Sequence, residues 1–296
     1  MPIQNEIKLQ VDSLKREYDS LKKGKEALLD MIFESELPES VYNSNAIENS
    51  TLTILETEKI LMEMEVSRNL SLREVFEAKN LGRVFEFIKT KIGAKSVDAD
   101  LILLLHKMLI LNINDEIAGR FRGKNEFVRV GTHVAPAPEV VESLLEAAML
   151  DYSSDYSSYF IEKISRFHLE FEHIHPFIDG NGRIGRVLIN YMLMQTGFPP
   201  VIIRDKEKAV YYSAFGEYKS RQKTATMEKV IYLALMESLH KRITYLKGDK
   251  IVRLTEFARK SKQSVSSLLN KAKRQTIPAF REKGVWKIGS RVKVLG

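Results

Sequence analysis

The residues of this chain that could do phosphate chemistry lie between His175 and Arg186. The segment reads HPFIDGNGRIGR and contains an imidazole, a carboxylate, a glycine on each side of Asn181, and two arginines. His175 can titrate near neutral pH and could take a proton from an incoming hydroxyl group. Asp179 is a hard oxygen ligand, the kind that holds a Mg²⁺ ion in contact with phosphate. These residue types favour the transfer of a phosphate-containing group.

The two glycines predict a binding site for an anion. Gly180 and Gly182 allow a tight turn in which backbone N–H groups point towards one centre. The turn precedes residues 184–194, which are almost wholly apolar and predict a buried helix. The N-terminus of that helix adds free N–H groups and partial positive charge. Together the turn and the helix suit a phosphate group.

Two arginines begin the predicted helix. Arg183 and Arg186 are three residues apart, so they share a helix face, and guanidinium groups suit phosphate oxygens. An ordinary capped helix, with Asp179 as the cap and the arginines in solvent, would explain each feature separately. It is the weaker interpretation, because charges at the start of an apolar helix are costly without an anionic partner.

Helices must position this segment, and the spacing of apolar residues predicts them. Helical spacing covers residues 71–91, 98–112, 155–173, 206–222 and 225–246. Residues 119–138 interrupt this series with three glycines, two prolines and strand-forming side chains, including Phe127, Val128 and Val130. We therefore predict a mainly α fold that carries a short β-hairpin or flap.

The N-terminal 35 residues predict a separate helical segment. Apolar side chains recur there at intervals of three and four, at Ile7, Val11, Leu14, Tyr18 and Leu21. This stripe could pack on the rest of the protein or pair with a second copy in a homodimer. We place the central domain over residues 36–246.

Composition excludes several classes of protein. The 296 residues are 44% hydrophobic and 29% charged, which is not the composition of a disordered or collagen-like chain. Cysteine is absent, so the sequence offers no disulfide, thiolate metal site or cysteine nucleophile. No run of 18 apolar residues predicts a membrane helix, and the start of the chain does not resemble a signal peptide. We expect a cytoplasmic protein without a membrane partner.

The C-terminal end is strongly basic. Residues 251–296 hold 12 of the 46 Lys and Arg residues but 2 of the 39 Asp and Glu, which leaves 34 basic and 37 acidic residues elsewhere. Two short helical stretches and a hairpin signal predict a winged helix-turn-helix domain over 247–296. Its candidate DNA contacts are Lys271, Lys273, Arg274, Arg281, Lys283 and Lys287. A protein-docking module is the alternative.

The phosphate segment resembles the signature of Fic-domain proteins, His-x-Phe-x-(Asp/Glu)-Gly-Asn-Gly-Arg-x-x-Arg, at every specified position. The likeness extends over roughly residues 40–220. It implies a helical bundle with a β-hairpin flap that transfers AMP from ATP, with Mg²⁺, to a hydroxyl group of a target protein or of the chain itself. The related Doc branch has Lys in place of the second glycine, so Gly182 favours AMP transfer over a Doc-like kinase.

The resemblance implies a role for each signature residue. His175 would be the general base, and Asp179 would bind the Mg²⁺ that bridges the α- and β-phosphates. Phosphate would be bound by Gly180, Asn181 and Gly182, with Arg183 and Arg186 on the β- and γ-phosphates. Tyr211 or Tyr212 would line the adenine pocket. The flap would hold a target segment as an added strand through Phe127, Val128, Val130, Thr132 and Pro136.

A second motif upstream, Ser44-Asn45-Ala46-Ile47-Glu48-Asn49, resembles the family's inhibitory motif (Ser/Thr)-x-x-x-Glu-(Gly/Asn). We expect a short helix over 43–49. The resemblance implies that Glu48 pairs with Arg186 and displaces the γ-phosphate, which would misalign ATP for in-line attack. A different class of function is also open, a DNA-binding regulator whose Fic-like body senses a nucleotide without turnover.

Overall fold

A computed structural model describes residues 5–66, 70–91, 93, 96–292 and 294 of the chain. Within these residues it is mainly helical, which confirms the predicted fold class. The α-helices are α1 (Asn5–Lys22), α2 (Glu26–Ile47), α3 (Ile54–Glu58), α4 (Leu72–Thr90), α5 (Ala99–Ile110), α6 (Val141–Ser154), α7 (Phe160–Ile174), α8 (Asn181–Gln195), α9 (Lys208–Arg221), α10 (Ala225–Leu246), α11 (Leu254–Ser261) and α12 (Val265–Lys273). The strands are β1 (Arg129–Val130), β2 (His133–Val134), β3 (Ile251–Arg253), β4 (Ala279–Glu282) and β5 (Val285–Gly289). None of the described helices is long and apolar enough to cross a membrane.

Side-chain caps explain where two of the predicted helices begin. The Ser71 side chain accepts a hydrogen bond from the backbone of Glu74 at the start of α4, and Asp98 accepts one from Leu101 at the start of α5. Each cap satisfies one of the backbone N–H groups that have no partner inside the helix. These two helices therefore lie within two residues of their predicted bounds.

Helix α8 forms the centre of the core, as its apolar sequence predicts. It packs against α7 on one side and against α4 and α5 on another. Gly185 permits the close approach of α7, because a Cβ atom at this position would lie 2.5 Å from the Oε1 atom of Glu172. Full burial of each Ile or Leu side chain on α8 contributes about 1.5–3 kcal/mol to stability.

The N-terminal helices belong to the same core. Val11 and Tyr18 of α1 are buried, and α1 packs along α10, so the apolar stripe is covered within one chain. Helix α2 then runs from residue 26 to residue 47, so the expected domain boundary after residue 35 falls inside a helix. The expected short helix over 43–49 is the last turn of α2, because nothing interrupts the helix before Ile47. Homodimer formation remains a prediction.

The C-terminal residues form a small unit with its own apolar core. Strand β3, helices α11 and α12, and the β4–β5 hairpin follow in that order, and the sheet order is β3-β5-β4. The two helices and the hairpin lie where the sequence predicts them. Strand β3 was not predicted, since three residues carry no period and their ladder is completed by a distant partner. The assignment as a winged helix remains a prediction.

The turn of this hairpin is docked on helix α2. The carboxylate of Glu39 accepts hydrogen bonds from the backbone N–H groups of Lys283 (3.0 Å) and Gly284 (3.1 Å). Glu39 also pairs with Arg204, which bonds to Glu237 at 2.8 Å. The side chains of Glu39, Arg204 and Glu237 are all buried. The hairpin is thus part of the interface with the body rather than a free wing.

Candidate active site

The loop between α7 and α8 places the imidazole next to the start of α8. Helix α7 ends at Ile174, and His175 adopts a left-handed conformation with φ of 50°. Asn181 stabilises the loop, because its amide accepts a bond from the Phe177 N–H (2.9 Å) and donates one to the Phe177 carbonyl (2.8 Å). The sequence-predicted base and anion turn are thereby held together.

His175 is neutral at physiological pH. Burial lowers the pKa of its imidazole to about 4, and the nearby Arg122 and His133 add to this effect. Its Nδ1 atom lies 3.3 Å from the carbonyl oxygen of Glu172. Because a carbonyl only accepts, Nδ1 carries the ring proton and Nε2 carries the free lone pair. A neutral imidazole of this tautomer can act as a general base.

Asp179 is held by arginines on two helices. Its carboxylate forms ion pairs with Arg73 of α4 and, at 3.0 Å, with Arg183 of α8. Both guanidinium groups lower the pKa of Asp179 against the opposing effect of burial, so this carboxyl is ionised. Arg73 could not be identified from the sequence, because nothing local relates residue 73 to Asp179, which lies 106 residues later.

A histidine outside the signature positions the backbone of Asp179. The Nδ1 atom of His106 accepts a hydrogen bond from the Gly119 N–H at 3.0 Å. Its Nε2 atom must therefore carry the proton, and it donates to the Asp179 carbonyl at 3.1 Å. The ring also stacks on Phe177 with centroids 3.7 Å apart. The sequence carries no signal for this role, because His106 is surrounded by apolar residues of α5.

Both glycines of the signature turn are required by close contacts. Gly180 has φ of 85°, and a Cβ atom on it would lie 3.0 Å from Leu109. A Cβ atom on Gly182 would lie 2.2 Å from the Oε1 atom of Glu48. The absence of a side chain on Gly182 therefore makes room for the Glu48 carboxylate.

The two signature arginines are both buried but have different partners. Arg183 bonds to Glu77 (3.2 Å) and to Asp179. Arg186 donates from Nε to the Ser44 hydroxyl at 3.0 Å and from Nη2 to the Ser44 carbonyl at 2.7 Å. The same Nη2 atom lies 2.9 Å from Oε1 of Glu48. The side chain of Glu48 is thus brought to Arg186 across 138 residues, as the motif resemblance implies.

The C-terminus of α2 explains the last position of the upstream motif. Glu48 follows the final helical residue, and Asn49 then adopts φ of 66°. Glycine and asparagine tolerate this left-handed conformation best, which is the usual end of a helix. Asn49 therefore turns the chain away directly after the carboxylate.

The two tyrosines lie at different depths. The Tyr211 hydroxyl is buried between Nε2 of His168 (2.9 Å) and Nη1 of Arg186 (3.4 Å). Tyr212 is half-exposed, and its hydroxyl donates to the carbonyl of Ile47 at the end of α2. Tyr212 is therefore the better candidate for contact with the adenine ring of a nucleotide. Tyr211 instead accepts a hydrogen bond from the buried Arg186.

The flap stands over the same site. Strands β1 and β2 form a two-residue ladder, and the flap residues Phe127, Val130 and Thr132 are exposed, while Val128 and Pro136 are partly buried. Arg122 anchors its base by donating to the carbonyls of Pro136 (2.9 Å) and His175 (2.8 Å). Arg122 was not identified from the sequence, since its role depends on backbone carbonyls from distant segments.

These groups share one cavity of about 830 Å³. Its lining includes the flap, the α2 terminus, both tyrosines, and the signature residues His175, Asp179, Gly180, Asn181, Gly182, Arg183 and Arg186. A volume of this size accommodates a nucleotide. The lining combines a neutral base, a helix N-terminus and two guanidinium groups, a set suited to chemistry at a phosphate.

The candidate DNA contacts are not equally available. Lys273 and Arg274 are exposed at the end of α12, and Lys271 is partly buried. The hairpin cations bind carboxylates of the same chain, with Arg281 on Glu207 and Glu237, Lys283 on Glu58 and Lys287 on Glu282. Arg281 is thus held by the body, whereas Lys283 stays largely exposed beside Glu58 and Lys287 pairs within the hairpin itself. DNA contact by the hairpin remains a prediction.

Comparison with known proteins agrees with this geometry. Residues 96–193 match the Fic/DOC family. The chain is 35% identical over 176 residues to the protein adenylyltransferase Fic of Nematostella vectensis, which covers 58% of this chain and 41% of the relative. It is 34% identical over 180 residues to the protein adenylyltransferase fic-1 of Caenorhabditis elegans, of which it covers 35%. The chain thus spans about two fifths or less of the length of these curated relatives.

Solved structures show the same fold. A Fic-1 structure from C. elegans, residues 134–508, aligns with a TM-score of 0.70 and 27% identity over 80% of this chain and 70% of that one. A Fic-domain signalling protein from Bacteroides thetaiotaomicron aligns with a TM-score of 0.72 over 81% of this chain and 97% of that one, at 24% identity. The signature segment lies within the residues that match the Fic/DOC family, and these alignments agree with a Fic-type fold.

Proposed function

We propose that this protein transfers AMP from ATP to a hydroxyl group of a protein, and that Glu48 holds it inactive. The observation that carries the proposal is the single cavity in which the neutral His175 faces the N-terminus of α8 and its two arginines. The relatives named protein adenylyltransferase support the reaction class.

Each step of the proposed reaction can be assigned to residues of the cavity. The hydroxyl oxygen attacks the α-phosphorus of ATP, its proton moves to Nε2 of His175, and the bond to the pyrophosphate oxygen breaks. The free N–H groups at the start of α8 stabilise the negative charge on the phosphates. Arg183 and Arg186 orient the outer phosphates, which aligns the leaving group with the attacking oxygen.

Asp179 is the residue that would hold Mg²⁺. Its carboxylate is ionised and lines the cavity, and the described residues contain no group of three His, Cys, Asp or Glu that could bind a metal alone. Such an ion would therefore complete its shell with phosphate oxygens and water. When bound, it would neutralise charge on the phosphates and on the leaving pyrophosphate.

Glu48 acts as a brake by occupying a cation that the reaction needs. Its carboxylate neutralises the Nη2 side of Arg186, which is buried and has its Nε and Nη2 groups committed to Ser44 and Glu48. A γ-phosphate that approaches Arg186 meets a carboxylate of like charge. ATP would then bind with its α-phosphate displaced from the line of attack.

The test uses ATP labelled at the α-phosphate with Mg²⁺, and follows label on protein. The samples are the native chain, Glu48→Gly, and Glu48→Gly combined with His175→Ala. We expect label with Glu48→Gly and none with the double variant. Absence of label from all three, with ATP binding demonstrated, would reject the enzyme and favour a nucleotide-sensing regulator.

A second candidate function is DNA binding by the C-terminal unit. The exposed Lys273 and Arg274 at the end of α12 favour it, in a segment with a large excess of basic residues. Because the hairpin cations are bound to carboxylates, α12 would carry the phosphate contacts. Affinity for duplex DNA should fall steeply with salt and weaken in a Lys273→Ala, Arg274→Ala variant; a flat salt response would indicate protein docking.

A further inference from the structure

One acidic side chain in the cavity has no role in the reaction described above. Glu172 lies two residues before the end of α7, and 11% of its side chain is exposed. Its Oε1 atom is buried and has no hydrogen-bond partner within the described part of the chain. That oxygen packs on Gly185, where any larger residue would collide with it. A buried carboxyl group without a partner is costly, so its retention needs a reason.

Glu172 lies next to His175, and the charge of Glu48 acts on it. Its Oε2 atom is 3.9 Å from Nδ1 of His175, about 1 Å longer than a charge-assisted hydrogen bond. Burial and the charge of Glu48 raise the pKa of Glu172 to about 8, while Arg186 opposes them. With Glu48 in place, Glu172 is therefore protonated and does not bind His175 as an anion.

Other titratable groups around this pair come from α7 itself, where the buried His168 packs on the same Gly185, and from α9 and the flap. Burial lowers the pKa of His168 to about 3, so this ring stays neutral. Burial raises the pKa of Tyr211, and raises that of Tyr212 to about 12, so both phenols stay neutral. On the flap side, Arg122 and His133 lower the pKa of His175, whereas Glu48 raises it. The change in charge when the brake opens therefore falls mainly on Glu172.

We propose that Glu172 is a positioning residue for His175, and that Glu48 controls whether it acts. When Glu48 leaves Arg186, Glu172 loses the neighbouring anion but still faces the guanidinium group. Glu172 then releases its proton to solvent, and a small rotation brings Oε2 to the Nδ1–H of His175. This role rests on the proposed function and deepens it, since it concerns regulation of the same site.

A carboxylate at Nδ1 would assist the base in two ways. It would fix the ring so that Nε2 faces the incoming hydroxyl group, and it would stabilise the imidazolium that forms when Nε2 takes the hydroxyl proton. The Nδ1 proton stays on the ring throughout. Glu48 would then inhibit the reaction in two ways. It would occupy Arg186, and it would keep Glu172 protonated, so that Glu172 could not support His175 as an anion.

The test is an NMR titration of the His175 Cε1–H signal in the full chain, without ATP. The variants are the native protein, Glu48→Gln, Glu172→Gln and the double variant, with the signal assigned by its loss in His175→Gln. Because the Glu48 carboxylate raises the pKa of His175, loss of that charge alone must lower it. We expect Glu48→Gln to raise the pKa of His175 instead. The expected rise is about one unit, which is the size of shift that an anion within 4–6 Å produces.

The double variant shows whether the charge of Glu172 causes the rise in the pKa of His175. We expect the rise to be absent there, because Glu172→Gln keeps the shape of the side chain but not its charge. A fall in Glu48→Gln, or a rise that persists in the double variant, would overturn the proposal. Since the titration needs neither ATP nor a target, its result is independent of whether labelled AMP is transferred.

A kinetic measurement in the Glu48→Gly background adds a second readout. There, Glu172→Gln should shift the acid limb of the pH profile of transfer, whereas Glu172→Asp should partly restore it. A purely structural role would lower the rate equally at every pH. Equal loss in both variants at all pH values would also reject the positioning role.

Discussion

The Oε1 atom of Glu48 lies 2.9 Å from Nη2 of Arg186, and the same oxygen occupies the space that a side chain on residue 182 would need. One carboxylate therefore makes contact with two parts of the phosphate site at once. Its position is set by the last turn of α2, which is itself braced by Glu39 and the C-terminal hairpin.

Ser44 should stabilise the closed brake. Its hydroxyl and carbonyl both accept from Arg186, so Ser44→Ala removes one hydrogen bond from a buried guanidinium group. We expect the free energy of unfolding to fall by about 1.5–3 kcal/mol. We also expect transfer to rise above the native level but to stay below that of Glu48→Gly. Chemical denaturation and α-labelled ATP measure the two effects; an unchanged stability would contradict the bond.

Arg73 should compete with Mg²⁺ for Asp179. Its exposed guanidinium pairs with the carboxylate that we propose as the metal ligand, so Arg73→Ala should lower the Mg²⁺ concentration needed for half-maximal ATP binding. Arg73→Lys is the matched control, because it keeps the charge. Calorimetric titration of ATP at several Mg²⁺ concentrations would show this, and identical Mg²⁺ dependence in all three chains would refute it.

Arg122 should be required for docking of the target but not of ATP. It ties the flap to the carbonyls around His175, so Arg122→Ala should free the flap. In a Glu48→Gly background we expect transfer to fall at least about tenfold, the scale of misplacement near a reacting centre. ATP affinity should change little. A variant that loses ATP binding to the same extent would show that Arg122 has a wider structural role.

Arg204 should be a major contributor to stability. It is buried between Glu39 and Glu237, and these carboxylates also hold the C-terminal hairpin. Arg204→Met leaves both carboxylates without this partner, and we expect a loss of about 3–5 kcal/mol. Lys283→Ala, which removes one exposed ion pair, is the control and should change stability by less than about 1 kcal/mol. Urea denaturation distinguishes these outcomes.

Stability should fall when the pH is lowered from 6.5 towards 4. Burial lowers the pKa of His106 and His175 to about 4 and that of His168 to about 3. The unfolded chain therefore binds more protons than the folded chain in this window, and acid favours unfolding. Burial also lowers the pKa of His173 and His240. Glu172, with its pKa raised to about 8, and Glu228, whose pKa burial also raises, act in the opposite direction.

We expect a slope of about 2 kcal/mol per pH unit near pH 5.5. Unfolding in urea at several pH values measures it. His106→Gln keeps a donor and an acceptor but cannot titrate, so its slope should be shallower. A flat profile between pH 6.5 and 4.5 in the native chain would contradict the lowered pKa values.

Local patterns were sufficient for much of this fold. Helical spacing and caps predicted α4 and α5 to within two residues, and the apolar run after Gly182 predicted the buried α8. The signature predicted the base, the anion turn and both arginines, because those residues lie within twelve positions and one turn brings them together. The motif ending at Asn49 predicted, through resemblance, the contact between Glu48 and Arg186.

The tertiary structure decided which distant groups meet. Arg73, His106 and Arg122 each contact segments far along the chain, which no local spacing records. It also decided that the C-terminal hairpin docks on Glu39 of α2 and that Arg281 pairs with Glu207 and Glu237. The sequence determines which side chains are charged, but the packing of the folded chain determines which of these groups become partners.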